Sequence, residues 1–255
     1  MAPLDNTRVL PERFEDLEPT ERLRVLKAGS AMTRFVFARA AAVLLSTPVG
    51  HAGYVRNGSG FVLRLPDHDY LGTAWHVVKE WHDATKTGNR IVFQVGAIAL
   101  NPSHRLAWKD EQNDVAFLRL LPGEAQRIGI LPCELLFGWP PPHPEVGSYL
   151  LLSGYPGIER LRPADDEVDF GAFSTLFQVS ASRENHVVCQ FQREHWISEG
   201  RDVPPPGTDL GGMSGGPALL VKNLAYPLVG LISEFSRDFE LLYVKTLSHV
   251  PLLRG

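Results

Sequence analysis

Cysteine is nearly absent. Cys133 and Cys189 are the only two in 255 residues, too few for the multi-bridge framework that braces small secreted scaffolds. They are expected as reduced, buried thiols, which goes with a cytoplasmic setting, secretion being the alternative. Long apolar runs are missing too. The best stretch, Ala40 to Leu45, is bracketed by Arg39 and Thr47-Pro48, far short of the roughly 20 residues a membrane-spanning helix needs. Read from Met32, Arg34 and Arg39 ahead of that stretch imitate a secretory signal. Its apolar part lies below the usual minimum of about seven residues and serves equally as a first strand. Positive charge is not in excess: 25 Lys and Arg face 29 Asp and Glu, a formal net charge of −4. No global field therefore draws the chain to nucleic acid or to an anionic membrane. Metal-ligand patterns are lacking as well, with no H-E-x-x-H, no paired C-x-x-C, and His76 and His82 wrongly spaced for one helical face. Neither a metal nor a cofactor is expected.

What is present is a chain 44% hydrophobic, punctuated along its whole length by 23 glycines and 20 prolines. That is enough apolar surface for real cores, cut into short segments, the composition of an all-β protein. Short apolar or alternating runs predict strands at Ser59–Leu65, Arg90–Val95, Asp114–Leu120, Tyr149–Ser153, Ala172–Ser180, His186–Phe191, Ala218–Val221, Leu228–Ser233 and Leu241–Lys245. Roughly ten to twelve strands and few long helices are expected. Residues 121–147, with Pro122, Pro132 and the cluster Pro140-Pro-Pro-His-Pro144, cannot supply a central strand, because proline donates no ladder hydrogen bond. A linker there divides the chain into β units of about 35–120 and 148–255. Residues 1–34 stand apart. From Pro11 to Lys27 acids come early and bases late, a polarity that complements a helix dipole. Leu17, Leu23 and Val25 give that segment a modest apolar stripe, so a helical leader is expected, packed on the domain or awaiting a regulatory partner.

The strongest local signal is Gly211-Gly-Met-Ser-Gly-Gly-Pro217. Its glycines permit positive φ and close backbone approach, so Ser214 is presented on a tight turn among converging amide N–H groups. By composition alone a chance G-x-S-G-G-P has odds of about one in a thousand in such a chain. A serine nucleophile needs a base, and His76, in Leu71-Gly-Thr-Ala-Trp-His-Val-Val78, follows a strand and opens a short helical stretch. A lone histidine in apolar context is more often packed than reactive. The third group is Asp114, at the mouth of the strand Val115-Ala-Phe-Leu118, where polar-to-apolar starts are ordinary. It is the order His, Asp, Ser, divided two and one between the units, that lifts the set above its members.

With these pieces in place the chain resembles the chymotrypsin-fold, trypsin-like serine proteases, in particular the bacterial or cytoplasmic trypsin-like peptidase domains. The residues that carry the resemblance are Gly58-Ser-Gly-Phe-Val62, Thr73-Ala-Trp-His76, Asp114-Val-Ala-Phe-Leu118, Ser153-Gly-Tyr-Pro156, Gly212-Met-Ser-Gly-Gly-Pro217 and Gly230-Leu-Ile-Ser233. The resemblance implies two six-stranded Greek-key β-barrels with a cleft between them, and peptide-bond hydrolysis of a protein or peptide substrate. It implies His76 as general base and acid, Asp114 orienting the imidazole, Ser214 as nucleophile, and the amides of Gly212 and Ser214 as oxyanion hole. Thr208, Ser233 and Phe235 fall at substrate-pocket positions, with Asp209 beside them. Thr208 at the pocket floor does not support a preference for Lys or Arg, and Phe235 suggests a shallow pocket for an apolar side chain. Two departures matter. Val77 and Leu210 stand where secreted members carry cysteines. Met213 stands where zymogens have the aspartate that pairs with a new N-terminus, so the oxyanion loop is either preformed through Met213 or ordered by a partner. A catalytically silent domain of this kind, used for binding, is the alternative.

Overall fold

The computed structural model describes residues 14–48, 55–88, 90–135, 138–164, 167–191, 205–222 and 225–251. The first unit contains strands β1 (Ala40–Ser46), β2 (Val55–Arg64), β3 (Asp69–Ala74), β4 (Val92–Val95), β5 (Ile98–Leu100), β6 (Leu106–Asp110), β7 (Val115–Arg119) and β8 (Cys133–Glu134). The second contains β9 (Tyr149–Gly154), β10 (Arg160–Ala164), β11 (Glu167–Phe170), β12 (Phe173–Arg183), β13 (His186–Gln190), β14 (Pro217–Leu220), β15 (Leu228–Ser236) and β16 (Leu241–Thr246). Helices are α1 (Pro19–Phe37), α2 (Trp75–Lys86), α3 (Pro102–Arg105) and α4 (Glu124–Ile128).

The expected mostly-β fold is present, with one closed six-stranded barrel, while the other sheet has eight strands among the described residues and its ladder does not close. Strands β12-β13-β16-β15-β14-β9 close into a barrel. The first unit is a sheet in the order β5-β4-β1-β2-β3-β7-β6, with β8 added parallel to β2. Its end strands are joined through chain rather than through a ladder. Asn101 caps the amide of Ser103, Pro102 sits in the first turn of α3, and this single helical turn carries the chain from β5 to β6.

The triple leucine of β9 shows why some strands read as continuous apolar runs. Leu150 and Leu152 point into the core of the closed barrel, while Leu151 points the other way, into the core of the first sheet. The same alternation places Ala218 and Leu220 of β14 inside the barrel and Leu219 against the first unit. A strand buried on both faces has no polar face to show. Leu228, Leu231, Leu247 and Val250 extend the first core in the same way, so the two units share one apolar seam.

The leader helix exists but is shifted along the chain. It runs from Pro19, at its first turn, to Phe37, beyond the expected boundary at 34, with Glu21 in the first turn and Arg34 in the last. The part of the expectation that falls on residues 11–13 lies outside the described residues. α1 packs on β9 and β12, and its last turn drives Val36, fully buried, into the first core. Arg39 then folds back, its guanidinium 3.6 Å from the Phe35 ring centroid and Nη1 donating to Phe35 O at 2.8 Å. The proline-rich linker also does more than connect, since it holds α4 and the short β8. No helix among the described residues is long and apolar enough to cross a membrane.

Candidate active site

His76 is the second residue of α2, at the junction where β3 ends. That helix lacks a side-chain cap of its own. The cap comes from across the sheet, because Asp114 precedes β7, and β7 pairs with β3 so that Ala74 faces Val115. Trp75 N donates to Asp114 O at 3.1 Å, and His76 N donates to Asp114 Oδ1 at 2.7 Å. The second carboxylate oxygen, Oδ2, lies 2.7 Å from His76 Nδ1. A carboxylate accepts only, so Nδ1 is the donor of this pair, and in the neutral imidazole the lone pair then belongs to Nε2. Asp114 reaches this geometry at φ 55°, in the left-handed region that Asp tolerates better than most residues. One residue thus satisfies two orphan helix amides, one through its backbone O and one through its side chain, places its carboxylate at the favourable end of the helix, and holds the imidazole.

Ser214 comes from the other unit, on the loop ahead of β14. Its backbone O accepts from Ser59 N on β2 at 2.8 Å, tying the loop to the first sheet. Gly215, at φ 93°, presses against the end of β3: a Cβ there would lie 2.9 Å from Ala74 N and would overlap Ser59 O. Any side chain would force the serine loop away from the strand that leads to His76. The structure therefore brings the serine segment against the root of the His76 helix. The hydroxyl itself is turned elsewhere. Ser214 Oγ donates to Ser233 O at 2.9 Å, and no hydrogen bond joins it to the imidazole among the described residues.

The amides around the serine are ordered. Gly211 O accepts from Gly157 N at 2.6 Å, Gly212 O from Ser59 Oγ at 2.8 Å, and Met213 O from Gly216 N at 3.0 Å. A trans peptide sets C=O and N–H in opposite directions, so holding the carbonyls of Gly211 and Met213 aims the N–H groups of Gly212 and Ser214 away from those partners. Among the described residues neither of these two N–H groups has an acceptor. Gly212 requires glycine at φ 100°, where a Cβ would stand 2.6 Å from Asn57 Nδ2 and 2.7 Å from Tyr155 O. Met213 is 1% exposed and packs in the barrel core.

The substrate-pocket residues are less gathered. Thr208 turns its hydroxyl onto Pro205 O at 2.6 Å. Asp209 is exposed, and its Oδ1 accepts from Gly211 N at 2.7 Å, so its carboxylate braces the approach to the loop that carries Ser214. Ser233 is buried, gives its carbonyl to Ser214, and donates its hydroxyl to Tyr243 O at 3.2 Å. Phe235 packs edge-on to Phe191 at 5.7 Å, which meets Phe177 at 4.9 Å. Sequence reasoning missed Ser59, Asn57, Tyr155 and Gly157 as site residues, although a serine set between Gly58 and Gly60 was visible.

No family model matches the sequence, and no curated protein matches it. Among solved structures the chain is similar to a thermostable serine protease, AL20, from an extremophilic microorganism, with a TM-score of 0.48 and 16% identity over 82% of this chain and 91% of that one. It is similar to the protease Anisep from Arthrobacter nicotinovorans, with a TM-score of 0.48 and 15% identity over 82% and 90% of the two chains. The tobacco vein mottling virus protease follows, with a TM-score of 0.46 and 10% identity over 84% of this chain and 79% of that one.

Proposed function

We propose that the chain is a serine endopeptidase that cleaves peptide bonds through His76, Asp114 and Ser214. The observation that carries this reading is the 2.7 Å pair between His76 Nδ1 and Asp114 Oδ2, set against a glycine-bound serine whose flanking amides at 212 and 214 have no acceptor among the described residues. In the reaction the Ser214 hydroxyl leaves Ser233 O, gives its proton to His76 Nε2, and its oxygen attacks the scissile carbonyl. The oxyanion sits on the Gly212 and Ser214 N–H groups. His76 then protonates the departing amine, leaving an ester on Ser214. Water, deprotonated by the same Nε2, hydrolyses that ester and restores the hydroxyl. Asp114 stays ionised throughout and stabilises the imidazolium.

The substrate is a protein or peptide whose side chain beside the scissile bond is small or medium and apolar, since Thr208 offers no charge and Phe235 brings an aromatic wall. A peptide-library profile dominated by Arg contradicts that preference. A second reading, a binding domain without catalysis, is favoured by one observation, the hydrogen bond from Ser214 Oγ to Ser233 O. Hydrolysis of casein and of a mixed peptide library by the purified protein separates the two. Activity that falls about a millionfold in Ser214→Ala supports the enzyme. Intact protein with no activity, or a Ser214→Ala variant as active as wild type, overturns it.

A further inference from the structure

Met213 cannot form an ion pair, yet the carbonyls from Gly211 to Ser214 are held, those of Gly212 and Ser214 by Ser59 of the opposite unit. Ser59 is buried at 0% exposure. Its hydroxyl accepts from Tyr155 N at 2.8 Å and donates to Gly212 O at 2.8 Å. Its backbone N donates to Ser214 O, and its backbone O accepts from Thr73 Oγ1 at 2.7 Å. Asn57, two residues earlier on β2 and so on the same face, donates through Nδ2 to Tyr155 O at 2.6 Å and accepts from Arg160 Nη1 at 2.9 Å through Oδ1. The segment these two residues hold runs on to Gly157, whose N–H grips Gly211 O.

We infer that Ser59 and Asn57 are positioning residues that keep the oxyanion hole preformed, so the loop needs neither N-terminal processing nor a protein partner to become competent. This rests on the reading of Ser214 as nucleophile. The N–H of Gly212 has one direction only while Gly211 O stays on Gly157 N, and Gly157 is placed by the Tyr155 backbone, which is clamped at its N–H by Ser59 and at its O by Asn57. The next carbonyl, Gly212 O, is held by Ser59 directly. Remove the hydroxyl and a part-buried carbonyl and a part-buried N–H both lose their partner, a cost relieved when the Gly212 peptide rotates. Rotation takes a hole donor away from the oxyanion while leaving the His76–Asp114 pair untouched.

The test uses the full chain without added proteins. A fluorophosphonate titrates active sites, with the adduct mapped to Ser214, and p-nitrophenyl acetate hydrolysis gives kcat per titrated site, KM and the pH profile. Wild type is expected to label fully on its own. Ser59→Ala and Asn57→Ala are expected to lower kcat per titrated site by about 10- to 100-fold, less than or comparable to loss of a whole hole donor. KM should stay within about twofold and the pH midpoint should not move, since the imidazole and its carboxylate are unchanged. A purely structural role would reduce the number of titratable sites and the melting temperature but not kcat per site. Asn57 is only partly buried, so its variant carries the test where Ser59→Ala fails to fold. Wild-type kcat per site in Asn57→Ala, or labelling that requires a second protein, overturns the inference. Absence of any Ser214 adduct in wild type under every condition overturns the nucleophile reading instead.

Discussion

At the residue scale, Asp114 does the most with one side chain. Its backbone O and both carboxylate oxygens are bonded to Trp75 and His76. Replacement by Asn keeps the shape but offers an N–H or a weaker oxygen to Nδ1, which favours the wrong tautomer. Asp114→Asn is therefore expected to lower kcat by about 10⁴-fold with the fold retained, measured on the same peptide substrate as the wild type. The two cysteines behave as expected from their isolation in sequence, both free and buried. Burial pushes each thiol up to about 12, so both stay protonated and unreactive in the folded protein. In the unfolded chain they titrate near the ordinary value of about 8.5. Their contribution to stability is thus present below that value and declines as pH rises from about 8.5 toward 12. Iodoacetamide at pH 8 should modify neither thiol in the native protein and both in denaturant, read by intact mass. His76, Asp114 and Ser214 could be picked out as candidates because each sits in a distinctive local pattern, and of the three the structure joins His76 to Asp114. The partner of the Ser214 hydroxyl was not legible, because Ser233 O lies 19 residues away in sequence.

At the scale of elements, strands with a clear apolar pattern were readable and short edge pieces were not. β9, β14 and β15 announce themselves as continuous apolar runs because both of their faces are covered. β5, β8, β10 and β11 span three, two, five and four residues, too short for a period of two to stand out. The leader helix was expected from its charge polarity, but its buried contact is Val36 in the last turn, beyond the charged segment that signalled it. That residue seals helix to sheet. Val36→Asp places an unpaired carboxylate in the first core and is expected to cost on the order of 4 kcal/mol, seen as a large drop in the denaturation midpoint by circular dichroism. An equally charged substitution at exposed Leu23, 51% accessible, should leave that midpoint nearly unchanged.

At the scale of the whole molecule, the site is a product of the seam between the two units. His76 and Asp114 come from the first sheet, Ser214 and its glycine loop from the barrel side, and Ser59 on β2 bonds to both ends of the Gly212–Ser214 segment. The apolar contacts of Leu151, Leu219, Leu228 and Leu231 with the first core hold the seam behind it. No single window of sequence contains these relations, which is why the ordered motifs signalled a site while its bracing residues went unread. The most direct test of the central claim is reaction of the purified chain with a fluorophosphonate, followed by peptide mapping of the adduct. One adduct per chain is expected, on Ser214, abolished in Ser214→Ala and strongly slowed in a variant lacking the His76 imidazole. An adduct on another residue, or equal labelling of wild type and the His76 variant, would contradict it.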